Sequence, residues 1–322
     1  MKIIDQLFSG VVWPAPSVWR EWQTAGAILS VAALCIAALF WPTIQSMVDV
    51  WASSRTFAHG FLVLPIVGYL VWSSRGRLVL LVPSPNAWGV AVLVGTGILW
   101  GLGRRADTIW LQQASVVALL PGLVWTVYGT EIVRRLSWPL GFLIFLLPVG
   151  TSLEPWLQDI TAWLILRGLD LTGIAYVSHN YFITVGRAVW EVAPDCGGLR
   201  YLLPGLSLAY AFAALTYRQP ARRVFFLFFC AVALMVANGL RAYGVIVGNH
   251  LGIAAGADHR LFSYTIYGVT MPCLLWLGLK WKQRPAAGER MGSGSAERFD
   301  AGKAIVASLV GVGGLFLVRV SL

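Results

Sequence analysis

From Val224 to Val247 the chain is almost unbroken apolar sequence, interrupted by Asn238 and one charge, Arg241. A helix of about 20 such residues crosses the hydrocarbon core of a bilayer, where every backbone N–H and C=O must be paired within the segment. Eight further stretches qualify with differing strength: Ala25–Trp41, Gly60–Trp72, Ala87–Gly103, Ile109–Tyr128, Leu136–Val149, Gly198–Tyr217, Tyr264–Leu279 and Ala304–Val320. Gly60–Trp72 and Leu136–Val149 are short, and Pro139 and Pro148 bracket the second. Charged residues make up 12% of the chain, against roughly 25% in a soluble domain. A soluble core cannot hide 58% hydrophobic residues. A soluble enzyme, a disordered chain and a coiled coil are excluded. The alternating segments of about 10 residues that mark an outer-membrane barrel are absent. The pattern predicts an all-α polytopic membrane protein of eight or nine spans.

Lys and Arg set the orientation of such a chain. With the N-terminus inside, the inner loops hold Arg75, Arg77, Arg134, Arg135, Arg218, Arg222, Arg223 and most of the basic residues after Lys280. The one long acidic stretch, Gly150–Asp195, falls outside. The net charge of +10 is therefore largely a topology signal. Its residues sit in short separated loops without interleaved aromatics, so no nucleic-acid partner is expected. Residues 1–24 read as an interfacial or cytoplasmic segment without a cleavable signal. Residues 25–281 read as the transmembrane domain, 282–303 as a polar Gly/Ala/Ser-rich cytoplasmic linker, and 304–322 as a last helix.

Within the outer loop, Leu153, Trp156, Leu157, Ile160, Trp163 and Leu164 recur at helical spacing. They predict an amphipathic helix over Leu153–Thr172, lying at the interface with its tryptophans at headgroup level. A short β-hairpin is expected next, with strands around Tyr181–Val185 and Ala188–Val192 turning at Gly186–Arg187.

Of the four cysteines, Cys35, Cys230 and Cys273 fall inside apolar spans and read as small hydrophobes. Cys196 stands where the outer loop enters a span, followed by Gly197, Gly198 and, four residues on, Arg200. A helix start presents unpaired N–H groups and partial positive charge, which favour a thiolate and could hold an oxyanion. The glycines leave room for a substrate backbone. Asp195 either opposes the thiolate or caps the helix. An inert thiol at a helix start is the competing reading. Asn238 and Arg241 share a helix face. Arg241 is either a functional intramembrane charge or an arginine snorkelling to the interface. His259 follows Asp258 just before the next span, and all four histidines fall on the outer side. A thiol, an arginine and a histidine converging on one membrane face meet the needs of cysteine acyl transfer: a nucleophile, a proton shuttle and a cation for the oxyanion. The sequence carries no H-E-x-x-H, no G-x-S-x-G and no Walker loop. A metal site built from His59, His250, His259 and Asp258 is a competing arrangement with no diagnostic spacing.

Cys196-Gly-Gly-Leu-Arg-Tyr-Leu-Leu, Ala237-Asn-Gly-Leu-Arg-Ala-Tyr-Gly-Val and Ala257-Asp-His, in that order, resemble the exosortase/archaeosortase family, most closely its exosortase A type. Phe57-Ala-His-Gly-Phe-Leu-Val-Leu-Pro and Phe142-Leu-Ile-Phe-Leu-Leu-Pro fit the same resemblance, which covers roughly residues 25–281. It implies a bacterial inner-membrane protein with its active site facing the periplasm. It implies a thiol protease or transpeptidase, acting on membrane-tethered proteins whose C-terminal sorting signal (PEP-CTERM) has a Pro-Glu-Pro-type motif, a hydrophobic helix and a basic cluster. The implied trio is Cys196 as nucleophile, Arg241 as oxyanion or thiolate stabiliser and His259 as general acid/base. Gly197, Gly198, Arg200, Asn238 and Asp258 would support it, with no metal or cofactor. A lipid or polysaccharide would be the acceptor, since such proteins accompany extracellular polysaccharide production. Where the family usually has Ser after the cysteine, Gly197 stands here, and the stretch between His259 and Tyr267-Gly268 is longer than the family's. A transporter or scaffold for polysaccharide export, with Arg241 and His259 along a polar path, is the reading from a different class.

Overall fold

The computed structural model describes residues 16–252 and 259–281. They fall into two compact units. The first takes in the chain up to Trp51 and Gly60–Pro148, and the second Ala52–His59 and the chain from Val149.

The first unit holds α1 (Pro16–Leu39), α2 (Trp41–Ser53, which runs just past its edge), α3 (Gly60–Ser73), the single turn α4 (Arg75–Leu78), α5 (Ala87–Arg105), α6 (Ile109–Tyr128), α7 (Thr130–Arg135) and α8 (Ser137–Gly141). A 3₁₀ turn, Phe142–Leu146, follows α8. Asn86 caps α5 by accepting from the Trp88 N–H. Ala25, Ile36, Phe40, Leu93, Trp100, Leu119, Leu123 and Val127 form the core. Polar groups inside it are paired: the Trp100 indole donates to Thr43 Oγ1 at 3.0 Å and the Gln113 amide to Ser46 Oγ at 3.1 Å. Such pairing is needed where lipid offers no water. Helices α5 and α6 close on each other at Gly89, where a Cβ would lie 2.6 Å from the Thr126 Cα. Gly89→Val is expected to lower stability by about 1–3 kcal/mol through this overpacking, read as a lower midpoint of thermal unfolding in detergent. An unchanged midpoint would contradict the packing.

The second unit holds a 3₁₀ turn (Thr151–Leu153), α9 (Glu154–Thr172), β1 (Tyr176–His179), β2 (Phe182–Val185), β3 (Ala188–Glu191), a 3₁₀ turn (Pro194–Gly197), α10 (Leu199–Thr216), α11 (Pro220–His250) and α12 (His259–Lys280). Gly173 in the left-handed region ends α9. The expected hairpin is part of a three-stranded antiparallel sheet in the order β1-β2-β3. Tyr176 pairs with Val185, and Val185 with Ala188. Both turns are two residues long and begin at Asn180 (φ 52°) and Gly186 (φ 63°), the positive φ that tight hairpins favour. Helices α10, α11 and α12 pack around Ala209, Ala213, Phe226, Cys230, Leu234 and Leu274, and the Tyr217 hydroxyl donates to Gly278 O at 2.7 Å.

Large apolar side chains such as Leu34, Leu62, Phe225, Phe228 and Trp276 face outward. In water this would be a liability; against lipid it is the expected arrangement. Five helices among the described residues are long and apolar enough to cross a membrane. The number rises to six if the bent pair Ser137–Leu146 and Thr151–Thr172 is one broken span. The expected span Gly60–Trp72 is the short helix α3, Leu136–Val149 is divided between α8 and a 3₁₀ turn, and Tyr264–Leu279 lies in α12, which is not among the five. Ala304–Val320, the linker and residues 1–15 lie outside the described residues. The chain is an all-α polytopic membrane protein carrying one small sheet.

Candidate functional site

Helix α9 packs against the turn that carries Cys196. Its buried face is Leu157, Gln158, Thr161, Ile165 and Leu169, while Trp156 and Trp163 are exposed. Polar Gln158 and Thr161 point inward because they have partners there. The Gln158 amide donates to the Val192 carbonyl, just past β3, and Thr161 donates to Leu157 O at 2.8 Å. Leu164 packs over Gly239 and Gly168 under Tyr243, so glycines on both helices let α9 and α11 approach closely. The sheet is held to the same helix by the Tyr181 hydroxyl on Asp159 (2.7 Å) and the Tyr176 hydroxyl on Asp170 (2.9 Å). These hydrogen bonds push both phenol pKa values up.

Cys196 sits in the 3₁₀ turn between sheet and α10, half-buried, with its N–H donating to Ala193 O at 2.8 Å. The first acceptor of α10 is Gly198 O, which receives the Tyr201 and Leu202 N–H groups at 3.0 and 2.9 Å. Its N-cap residue, Gly198, has no side chain with which to cap it. The positive end of α10 therefore opens two residues from the thiol.

Asn238 joins the pieces. Buried on α11, its Nδ2 donates to Cys196 O at 2.8 Å and to Thr161 Oγ1 at 3.0 Å, and its Oδ1 accepts from the Tyr267 hydroxyl at 3.0 Å. Both its N–H groups and its oxygen have partners at a depth where an unpaired amide would be costly. The Tyr267 ring stacks on Tyr201, with centroids 3.8 Å apart. Gly198 has φ +90°, and a Cβ there would lie 2.7 Å from Asn238 Cγ. A Cβ on Gly197 would meet Gln158 N of α9 at 3.2 Å. The space left by both glycines, expected to admit a substrate backbone, is thus filled by the protein's own helices. Close packing accounts for it.

Arg241 follows Asn238 by one turn, half-buried, with its charge within electrostatic reach of Tyr267. Arg200 lies half-buried in the first turn of α10. His259 opens α12; its side chain and all of Asp258 lie outside the described residues, as does the Asp195 side chain. The structure brings together Cys196, Gly198 and Asn238 by direct contact. Thr161, Tyr201 and Tyr267 join them without having been picked out from sequence. Gln158 and Thr161, three apart and on the same face as Leu157 and Ile165, were the readable signal for α9.

All four cysteines are free. Only Cys230 is a core hydrophobe, whereas Cys35 and Cys273, expected to be buried, lie on outward helix surfaces. The residues of the competing metal arrangement do not form a cluster that can be described. Among the described residues no three His, Cys, Asp or Glu side chains are placed to hold a metal ion. His59 is half-buried, its Nδ1 lying 3.2 Å from Thr56 O, and burial pulls its pKa below the usual histidine value.

No curated protein and no solved structure matches the chain. A family model described as transmembrane exosortase matches residues 51–276, which takes in both compact units and every residue of the Asn238 network. With most of its length matched, the chain belongs to the transmembrane exosortase family.

Proposed function

We propose that the chain is a membrane-embedded cysteine transpeptidase that cleaves the C-terminal sorting signals of exported proteins. Membership of the exosortase family supports membrane protein sorting by a peptidase or transpeptidase. The observation that carries the cysteine reading is the setting of Cys196, half-buried two residues before the N-cap of α10 with its carbonyl held by Asn238.

In this reading the substrate's hydrophobic tail enters laterally from lipid and brings its scissile peptide to Cys196. The thiolate adds to the carbonyl carbon, and the negative charge that develops on oxygen is met by N–H groups at the start of α10 and by Arg241. The C–N bond breaks, the leaving amine takes a proton from His259, and a thioester remains on Cys196. Water, an amine or a hydroxyl of a lipid or polysaccharide then attacks the thioester, giving its proton back through His259. In this reading the chemistry takes place on the periplasmic face of the inner membrane. Eight or nine spans with the N-terminus inside complete the topology, and the motifs favour the exosortase A type.

The test is trapping. A membrane-impermeant sorting-signal peptide bearing a thiol-reactive group, added from the periplasmic side, is expected to leave one covalent adduct, on Cys196 by peptide mass spectrometry. Adducts confined to Cys35 or Cys273, or polysaccharide export without any adduct, would instead support the transporter or scaffold reading.

A further inference from the structure

Asn238 and its three partners come from four different elements. Thr161 is on α9, the Cys196 carbonyl on the 3₁₀ turn and Tyr267 on α12, with Asn238 itself on α11. Packing holds the turn in place: a Cβ on Gly197 would meet Gln158 N of α9 at 3.2 Å, and Cys196 lies against the cluster of Ile165, Leu169, Val192 and Ile246. The turn is short, begins after Pro194, and ends at Gly198, whose backbone is left-handed and whose missing Cβ is what lets the Asn238 amide lie across it. A one-residue rotation about that turn would re-aim the Cys196 side chain. The bond to the Cys196 carbonyl opposes such a rotation as well. Asn238 in turn has its Oδ1 held by Tyr267, and Tyr267 is held flat by the Tyr201 ring from the first turn of α10. The Cys196 carbonyl can only accept and so selects the orientation that turns Nδ2 toward it; without the Tyr267 hydroxyl the amide loses the bond that holds its Oδ1 end and with it the tilt of the Nδ2 group toward Cys196.

We infer that Tyr267 is a positioning residue that sets the direction of the Cys196 thiol through Asn238. This deepens the peptidase reading and rests on it. The relay also explains why α12 matters to the nucleophile: Tyr267 is two turns along the helix that His259 opens. The element carrying the proton shuttle is thus tied to the element carrying the thiol by two hydrogen bonds rather than by packing alone. Neither residue touches the reacting atoms, so the expected signature is a fault of geometry, not of substrate binding.

The experiment uses Tyr267→Phe, Asn238→Ala and the double variant in the full-length detergent-solubilised protein. Tyr267→Phe keeps the ring and its stack, so it is the variant expected to fold normally. Two readouts are taken. The first is cleavage of a reporter protein ending in a Pro-Glu-Pro-type signal, hydrophobic helix and basic cluster. The second is the rate of Cys196 alkylation by iodoacetamide, resolved from the other cysteines by peptide mapping. Tyr267→Phe is expected to lower kcat about tenfold, with KM changed less than about twofold, as a misaimed nucleophile does. It is also expected to slow Cys196 alkylation. The double variant should be no slower than Asn238→Ala alone, because one residue acts through the other. Full additivity of the two variants, or a Tyr267→Phe protein with the alkylation rate and kcat of the parent, would overturn the relay. Normal cleavage by Cys196→Ala would overturn the peptidase reading while leaving the alkylation comparison to decide the relay on its own.

Discussion

A Cys196→Ala protein is expected to leave a sorting-signal reporter at full length, with cleavage reduced at least about a thousandfold, as loss of a nucleophile does. The substitution should not disturb folding. The contacts that hold the turn are made by the backbone: the Cys196 N–H on Ala193 O and the Cys196 carbonyl on Asn238. Both survive in alanine. Only a half-buried sulfur is removed. Membrane yield and the thermal midpoint should therefore match the parent, and immunoblots of the reporter should show only precursor. Cys35→Ala and Cys273→Ala are the comparison, since both residues are exposed and neither hydrogen-bonds to Asn238. They should process the reporter normally. Mature product from Cys196→Ala at the parental rate would end the cysteine mechanism.

The second large effect is at Gly198. Alanine there meets two separate penalties. A left-handed backbone costs an L-residue roughly 1–2 kcal/mol. The new Cβ would also lie 2.7 Å from Asn238 Cγ and Nδ2, in place of ordinary contact. Asn238 cannot yield freely, because moving it strains three hydrogen bonds worth about 1 kcal/mol each. The sum expected is about 2–4 kcal/mol of stability, together with loss of reporter cleavage. Gly173→Ala isolates the first penalty. Gly173 also has positive φ (68°) but nothing within 4 Å of its Cβ position. It should cost only the backbone share and leave cleavage intact. Thermal unfolding of the two variants side by side reads the difference, and equal midpoints would refute the close approach of Gly198 to Asn238.

How far the sequence carries can be judged on particular residues. Long apolar runs marked Ala87–Gly103, Ile109–Tyr128 and Val224–Val247, because a 3.6-residue helix in lipid needs little more than length and absence of charge. They overran at Leu136–Val149, where the prolines break the run into short turns. The helix over Leu153–Thr172 was legible, but the inward turn of Gln158 and Thr161 was not, since the periodicity rests on apolar residues alone, whereas inside a membrane protein hydrogen-bonding side chains seek the interior and apolar ones face lipid. β1 was missed because Tyr176–His179 is short and mixed in polarity, and its pairing depends on a turn at Asn180. Asn238 stood out through its three-residue spacing from Arg241 inside an apolar span. Thr161 and Tyr267 did not, because their partner is 77 and 29 positions away and nothing local to either residue announces it.

The division of the chain into units bears on how the protein is made. Ala52–His59 belongs with the unit that begins again at Val149, while everything between them builds the other unit. At synthesis rates of roughly 5–20 residues per second, the early stretch leaves the ribosome roughly 5–20 s before its companions exist. The first unit can assemble from neighbours in sequence as it emerges. The second can be completed only after translation has passed α12, by a long-range closure of the kind that is slow. Nascent chains halted before that point would carry an Ala52–His59 segment still waiting for its companions, the state that membrane quality control would meet first.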